Sequence, residues 1–383
     1  MTVSQKPLAA IAIRQVEKNT GASRNAFEQA HALHELGYRV VILAERARPE
    51  LINASGVQWV RCWRFPFKGA IRRFWFNRCV QRWVKKHSPA LLVSHGDVET
   101  PDIVYLHNCV HLASERIYGT SLPTRHEVAA IHDHVLTRQL FKKVAVNSRL
   151  MGEDLKARYG ISDERIEISY PGYDATRFNP QNARLRRDEM RARFGCNQGE
   201  CLIGLVTSGN FAKRNVKGFI ELAATLDKRH DNLRFLVVGK DDATPFKEQA
   251  SALGIGDRVY WQTTIDDVQA LYGALDVFVL PAHIEEFGRV ALEAMACGTP
   301  VILSKYVGSA ELIAARWPQL VIDPDDQTRW SDQLDGFLQS ATQRQQIGND
   351  MAKLATNFAH EKQSRKLMTS FQALSSTHGA CSK

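Results

Sequence analysis

The chain has 383 residues, 44% hydrophobic and 24% charged, which fits globular domains of ~150 residues each and leaves room for two sizeable cores. No stretch approaches the roughly 18 apolar residues of a transmembrane helix, and Met1–Pro7 lacks a signal-peptide pattern. Seven scattered cysteines, without CxxC or Cys/His spacing, speak for free thiols in a reducing cytoplasm and against a metal site. The net charge of +9 points to an anionic partner: nucleic acid, a membrane surface or a phosphorylated ligand.

In chain order, Leu8–Ile13 reads as a strand and Asn19–Ser23 as a small polar turn. Arg24–Leu36 follows as an amphipathic helix closed by Gly37, and Val40–Leu43 as a second strand. The turn at Gly21 brings backbone N–H groups toward a ligand, although a full GxGxxG is absent and an ordinary βα turn reads the same way.

Residues 61–87 interleave Arg61, Arg64, Lys68, Arg72, Arg73, Arg78, Arg82, Lys85 and Lys86 with Trp63, Phe65, Phe67, Phe74, Trp75, Phe76 and Trp83, and no acid occurs between Glu50 and Asp97. Ile71, Trp75, Cys79 and Trp83 recur every four residues on one helical face. Such a segment lies on an anionic membrane, binds a phosphorylated acceptor, or packs its aromatic face as core under solvated charges. No nucleic-acid-binding motif accompanies the charge.

Leu91–Ser94 and Ile103–Leu106 read as strands, the second running into His107. A histidine at the carboxyl end of such a strand points to a ligand crevice, whereas His111 is either a site or a structural residue. The segment 127–140 reads as a helix with His132 and His134 on its surface, 144–148 as a strand, 149–160 as a helix and 166–168 as a strand. Arg184–Arg193 reads as a solvated helix.

The second half repeats the α/β alternation. Strand Cys201–Val206 leads into a loop with Gly209, Lys213 and Arg214, and a helix from Val216 to about Lys228 carries Lys217. Cations and a glycine at a helix N-terminus suit a pyrophosphate, with Lys213 alternatively a surface charge. Leu233–Val238 is a strand ending at Gly239, and Val259–Trp261 is another. Strand Asp276–Leu280 then opens a loop with Glu285 and Glu286, followed by Phe287-Gly288 and a helix holding Glu293. Gly298 and Pro300 stop that helix before strand Val301–Leu303. Carboxylates beside an anion site would repel it unless they bind sugar and ribose hydroxyls. Residues 326–356 read as helical, 358–374 as a last helix, and the tail from Ser375 as unstructured.

Glu285 and Glu293, with seven residues between them and Phe-Gly inside, resemble the EX7E motif of retaining GT-B glycosyltransferases of the GT4-like family. The flanking run from Glu293 to Val301 resembles that family too, as do Gly37-Tyr38-Arg39-Val40, Val144–Ser148, Tyr170–Asp174 with Arg177–Pro180, Lys217-Gly218 and Gly308–Leu312. The sequence departs from the family at Asn210, where Arg is usual, so that Arg214 or Lys213 stands in, and at Glu286, where Gly is usual.

The resemblance implies a GT-B fold with two Rossmann-like domains facing a central cleft. Residues 1–175 would take the acceptor and 176–357 the nucleotide-sugar, helix 358–375 would cross back to the N-terminal domain, and 376–383 would be a tail. It implies that Glu293 holds ribose, Glu285 and His107 meet the donor sugar, and Phe287, Gly288 and Arg289 offer backbone N–H groups. Gly21, Gly209, Lys213 and Gly239 would line the donor site, while Arg214 and Lys217 stabilise the leaving diphosphate. No metal cofactor is expected. The donor is expected to be UDP-hexose and the acceptor a glycolipid or oligosaccharide of the lipopolysaccharide-core type, at the inner membrane face. Alternatives on the same fold are a nucleotide-sugar epimerase, a phosphorylase-like enzyme, or a non-catalytic binder of anionic lipid.

Overall fold

A computed structural model describes residues 6–17 and 20–379, with side chains as far as Ser375. The chain forms two compact units, one running to Pro171 and completed by the chain from Glu361, the other spanning Gly172–His360.

The first unit is built on β1 (Leu8–Ala12), β2 (Gln15–Val16), β3 (Arg39–Ala44), β4 (Arg46–Ala47), β5 (Gln58–Arg61), β6 (Leu91–Ser94), β7 (Ile103–Leu106), β8 (Lys143–Val146) and β9 (Ile166–Ile168). Seven of these make a parallel sheet in the order β5-β3-β1-β6-β7-β8-β9, with Ile11 opposite both Ile42 and Val93, and β2 pairs β4 separately. The central strands are continuous apolar runs because helices cover both faces. Helix Gly21–Glu35 packs Ala26, Ala30 and Leu33 on one face, joined by Phe371 and Leu374 of helix His360–Gly379. Helix Ala70–His87 packs Phe76 and Val80 on the other.

The second unit contains β10 (Cys201–Val206), β11 (Leu233–Val238), β12 (Val259–Gln262), β13 (Val277–Leu280), β14 (Val301–Ser304) and β15 (Val321–Ile322), all parallel in the order β12-β11-β10-β13-β14-β15. The order reverses between β10 and β13, as it does between β1 and β6 in the first unit. At such switch points the loops beyond the strand ends diverge and open a crevice.

Several expectations need correction. The first helix starts at Gly21 rather than Arg24, because Thr20 accepts a hydrogen bond from Ser23 N–H and caps it; Asn19 lies outside the described residues. On helix Ala70–His87 the buried residues are Phe76 and Val80 with Arg72 and Asn77; of the four-residue series, Cys79 and Trp83 pack partly buried against the same core while Ile71 is exposed. His132 is buried, not on the surface, in contact range of the turn at Gly96. The stretch 184–193 is not a solvated helix: Arg187 and Arg191 both bond Asp276 at 2.8 Å, and Met190 is buried. Residues 326–356 form two helices, broken at Ser340, whose hydroxyl caps the second. The expected tail is helical to Gly379, with Ser375 Oγ 2.6 Å from the Tyr38 hydroxyl, and residues 380–383 lie outside the described chain.

Gly273, in helix Val268–Ala274, lies so close to helix Pro180–Arg184 that an added Cβ would sit 1.9 Å from the Ala183 carbonyl oxygen. Gly336, inside helix Gln327–Gln339, has nothing within 4 Å of that position. Gly273→Ala should therefore destabilise by about 2 kcal/mol or more, and Gly336→Ala should stabilise by about 0.5–1 kcal/mol. Denaturant unfolding of the two variants checks both signs.

Candidate active site

The switch point of the second unit gathers several of the charged residues singled out in the sequence, Lys213, Arg214, Glu285 and Glu286. The loop after β10 is fixed by its own backbone chemistry. Gly209 has φ +140° and lies against the Lys240 carbonyl, where a Cβ would meet the oxygen at 2.7 Å. Asp241 accepts from Phe211 N–H at 2.7 Å, and the Phe211 ring closes over Gly239, leaving no room there for a side chain. Asn215, in the left-handed region, caps helix Val216–Asp227 through the Gly218 N–H at 3.0 Å. This cap explains Gly218, because a Cβ would meet the Asn215 amide at 2.6 Å.

The loop after β13 is tied to the one after β14. Glu285 N–H donates to the Tyr306 carbonyl, Gly308 N–H donates to the Glu285 carbonyl, both at 2.9 Å, and Ser309 N–H donates to the Phe287 carbonyl at 2.6 Å. Gly288, with φ +85°, turns the chain into helix Arg289–Ala296. A Cβ there would crowd Val307, Glu285 and Ser309 at 3.1–3.3 Å. Residues 287–289 thus open the helix, where the first N–H groups and the positive dipole end lie.

Two adjacent cations meet two adjacent carboxylates across these loops. Arg214 bonds Glu285, and Lys213 Nζ bonds Glu286 at 2.5 Å. The His283 N–H also donates to the Lys213 carbonyl at 3.1 Å, so the loops are stitched through backbone and side chains together. Burial pushes the Glu285 carboxyl above its ordinary range, Arg214 opposes this most strongly, and Glu286 adds to the rise. Glu293, one turn into the helix, is buried and accepts from the Tyr272 hydroxyl at 3.2 Å.

The structure therefore brings Lys213, Arg214, Glu285, Glu286 and the 287–289 turn together, with Gly209 and Gly239 under the loop after β10. Lys217 is not in that cluster: its side chain is 74% exposed, 3.9 Å from Glu221. Arg289 reaches the Gly172 carbonyl at 3.4 Å. Tyr272 has no sequence signal, because its bond to Glu293 spans 21 residues.

In the first unit Gly21 is a helical residue with open space around it. His107 follows β7 and contacts His95, which follows β6, at 2.8 Å. The strand-end rule that singles out His107 applies equally to His95, which the sequence reading passed over. His111 is buried and bonded to Asp133 at 3.1 Å, a structural arrangement shared with the Tyr159 hydroxyl.

Segment 61–87 divides into two parts. Arg72 is buried and donates to the Phe65, Pro66 and Phe67 carbonyls, and Arg73 pairs with Asp97 at 2.6 Å, so neither belongs to a free basic surface. Outside, Trp63, Phe67 and Ile71 are 59%, 69% and 55% exposed. Trp75 packs on Trp63 and Phe65 with ring centroids 5.5 Å apart, and Arg82 lies over Trp75 at 5.8 Å. Exposed Arg61, Lys68, Arg78, Lys85 and Lys86 belong to the same segment.

Residues 19–177 match the family model Glycosyltransferase Family 4, and residues 187–354 match Glycosyl transferases group 1. A D-inositol 3-phosphate glycosyltransferase of Salinispora tropica is 29% identical over 239 residues, covering 59% of this chain and 50% of that protein. One of Corynebacterium urealyticum is 25% identical over 386 residues, 92% of this chain and 89% of that protein. The chain spans about half the length of the first of these relatives. Among solved structures, WaaG, a glycosyltransferase involved in lipopolysaccharide biosynthesis, has a TM-score of 0.77 at 20% identity, covering 94% of this chain and 98% of that one. Anabaena HepE in complex with UDP-glucose has a TM-score of 0.73 at 16% identity, covering 96% and 100%. With a family model matched by each half and GT-B neighbours along nearly its whole length, the chain belongs to the GT4-like family of GT-B glycosyltransferases.

Proposed function

We propose that this chain is a retaining hexosyltransferase that moves a sugar from UDP-hexose to a glycolipid or polysaccharide of the cell envelope, at the cytoplasmic face of the membrane and without a divalent cation. The observation that carries this reading is the Arg214–Glu285 pair at the mouth of the helix bearing Glu293. It supplies a cation for a diphosphate and carboxylates for hydroxyls within one set of loops. UDP is favoured by the UDP-glucose held by HepE, and an envelope acceptor by the pathway of WaaG. A phosphorylated acceptor is favoured by the inositol phosphate of the curated relatives.

In the free enzyme Arg214 and Glu285 neutralise one another. An incoming diphosphate competes for Arg214, and the released Glu285 accepts hydrogen bonds from sugar hydroxyls. Glu293, steadied by Tyr272, takes the ribose hydroxyls. Lys217, on its exposed and flexible stem, folds onto the diphosphate. The bond from the anomeric carbon to the phosphate oxygen breaks while the acceptor oxygen bonds that carbon from the same face. The acceptor's proton passes to the leaving phosphate oxygen, and configuration is retained. Once they hold the diphosphate, these cations stabilise the charge that develops on the leaving group.

Arg214→Ala should lower turnover about 10²–10³-fold, and Lys217→Ala should also lower it, with the unfolding midpoint changed far less. Transfer assays with saturating donor check this; wild-type turnover in both variants would remove these residues from the mechanism. The same assay with EDTA should lose nothing, and loss restored by a divalent ion would overturn the metal-free reading.

The exposed Trp63, Phe67 and Ile71 amid cations suit insertion at an anionic bilayer surface. The triple replacement by Ser, or removal of Arg78, Lys85 and Lys86, should cut co-sedimentation with phosphatidylglycerol vesicles severalfold and leave binding to neutral vesicles low. Unchanged co-sedimentation of both variants would contradict membrane docking here.

A further inference from the structure

The second unit has another concavity, at the amino ends of its strands. Leu275 and Asp276 lead into β13, Thr299 and Pro300 lead into β14, and all four line a cavity of about 300 Å³. Arg344, which also lines it, lies 3.5 Å from the thiol of Cys201, the first residue of β10. The loops bearing Arg214 and Glu285 follow the carboxyl ends of β10 and β13, so the cavity lies at the opposite edge of the sheet from the candidate active site.

Glycines set its walls. Helix Pro180–Arg184 meets helix Val268–Ala274 at Gly273, as described above. Helix Ala341–Ala355 meets the turn before β14, where a Cβ on Gly348 would lie 2.1 Å from the Gly298 carbonyl oxygen. Backbone against backbone in both places holds the surrounding elements at fixed separations.

The charge within this frame is one-sided. Arg184, Arg187 and Arg344 line the cavity, and Asp276 is the single acid among its lining residues. That acid is already shared, because Arg187 and Arg191 each donate to it at 2.8 Å and the Leu202 N–H donates to it at 2.8 Å. Arg344 is held by neutral groups: it donates to the Phe337 carbonyl, to the Leu338 carbonyl at 3.0 Å and to the Cys201 sulfur. Burial pushes the Cys201 thiol up, so it adds no negative charge there. Arg184 donates to the Asn349 amide oxygen at 3.4 Å. Neutral acceptors orient a guanidinium without cancelling its charge, and its five donors leave others for a ligand. Helix Ala341–Ala355 also starts at the cavity, so its positive end adds to the field.

We propose that this cavity is a second ligand site, which takes the phosphate group of a small molecule among Arg184, Arg187 and Arg344, with Gln345 at the rim for hydroxyls. Planar guanidinium forks suit phosphate oxygens, and the volume sits at the lower end of small-molecule pockets, roughly 300–1,000 Å³. The site lies wholly within the second unit and does not depend on the donor-site reading.

Equilibrium binding to the full chain at constant ionic strength, with glucose 6-phosphate and inorganic phosphate as probes, tests the proposal, and hydrogen exchange reports the place. Glucose 6-phosphate should bind and slow amide exchange in residues 341–345. Arg344→Gln should weaken binding about tenfold and Arg184→Gln about threefold. Arg184 is exposed, so its replacement keeps the test valid even where Arg344→Gln lowers stability. Arg214→Ala, at the other edge of the sheet, should leave binding within about twofold. Tighter binding of glucose 6-phosphate than of inorganic phosphate identifies an ester as the occupant. Equal binding of the two, with the same losses in the arginine variants, identifies the free anion. No binding of either probe at millimolar concentration, binding unchanged in both Arg344→Gln and Arg184→Gln, or binding lost in Arg214→Ala would overturn the proposal.

Discussion

Two neighbouring carboxylates, Glu285 and Glu286, are held out of bulk water by two neighbouring cations, Arg214 and Lys213. Either acid alone in this setting would be costly, because a buried charge without a counter-charge carries a desolvation penalty of several kcal/mol. The pairing explains why the loops after β10 and β13 adopt one conformation and why their backbones are pinned by Asp241, Tyr306 and Ser309. Glu286, the partner of Lys213, occupies a place where the family usually carries glycine, so this second pair is a feature of this chain.

The same topology recurs in the first unit with different chemistry. There the switch point holds a run of hydrogen-bonding groups, Gln29, His95, His107 and Asn25. The aromatic and basic residues of 61–87 follow a third logic. Two of the arginines are structural, and the exposed remainder is a surface of apolar wedges and cations.

Much of this was legible in the sequence. Apolar runs bounded by glycine or proline marked the central strands, and Glu285 with Glu293 marked the site, since spacing along one loop and helix survives folding. Long-range partnerships were not legible. The Arg187 and Arg191 contacts to Asp276, which turn a charged stretch into a packed one, span more than eighty residues. Tyr272 reaches Glu293 from a separate helix. Four-residue periodicity did not single out Phe76 and Val80, the fully buried apolar residues of helix Ala70–His87, though Cys79 and Trp83 of that series pack against them. Nothing along the chain announces that Glu286 lies opposite Lys213, because the pair spans more than seventy residues.

The central claim is that the loops bearing Arg214, Glu285 and Glu293 bind a nucleotide-sugar. A thermal-shift panel of nucleoside diphosphates and their sugars, run on the wild type and on Glu293→Gln, tests it most directly. The account predicts that UDP and a UDP-hexose raise the melting temperature of the wild type and that Glu293→Gln loses most of the rise. A panel in which no nucleotide shifts the wild type, or in which Glu293→Gln responds as fully as the wild type, would contradict it.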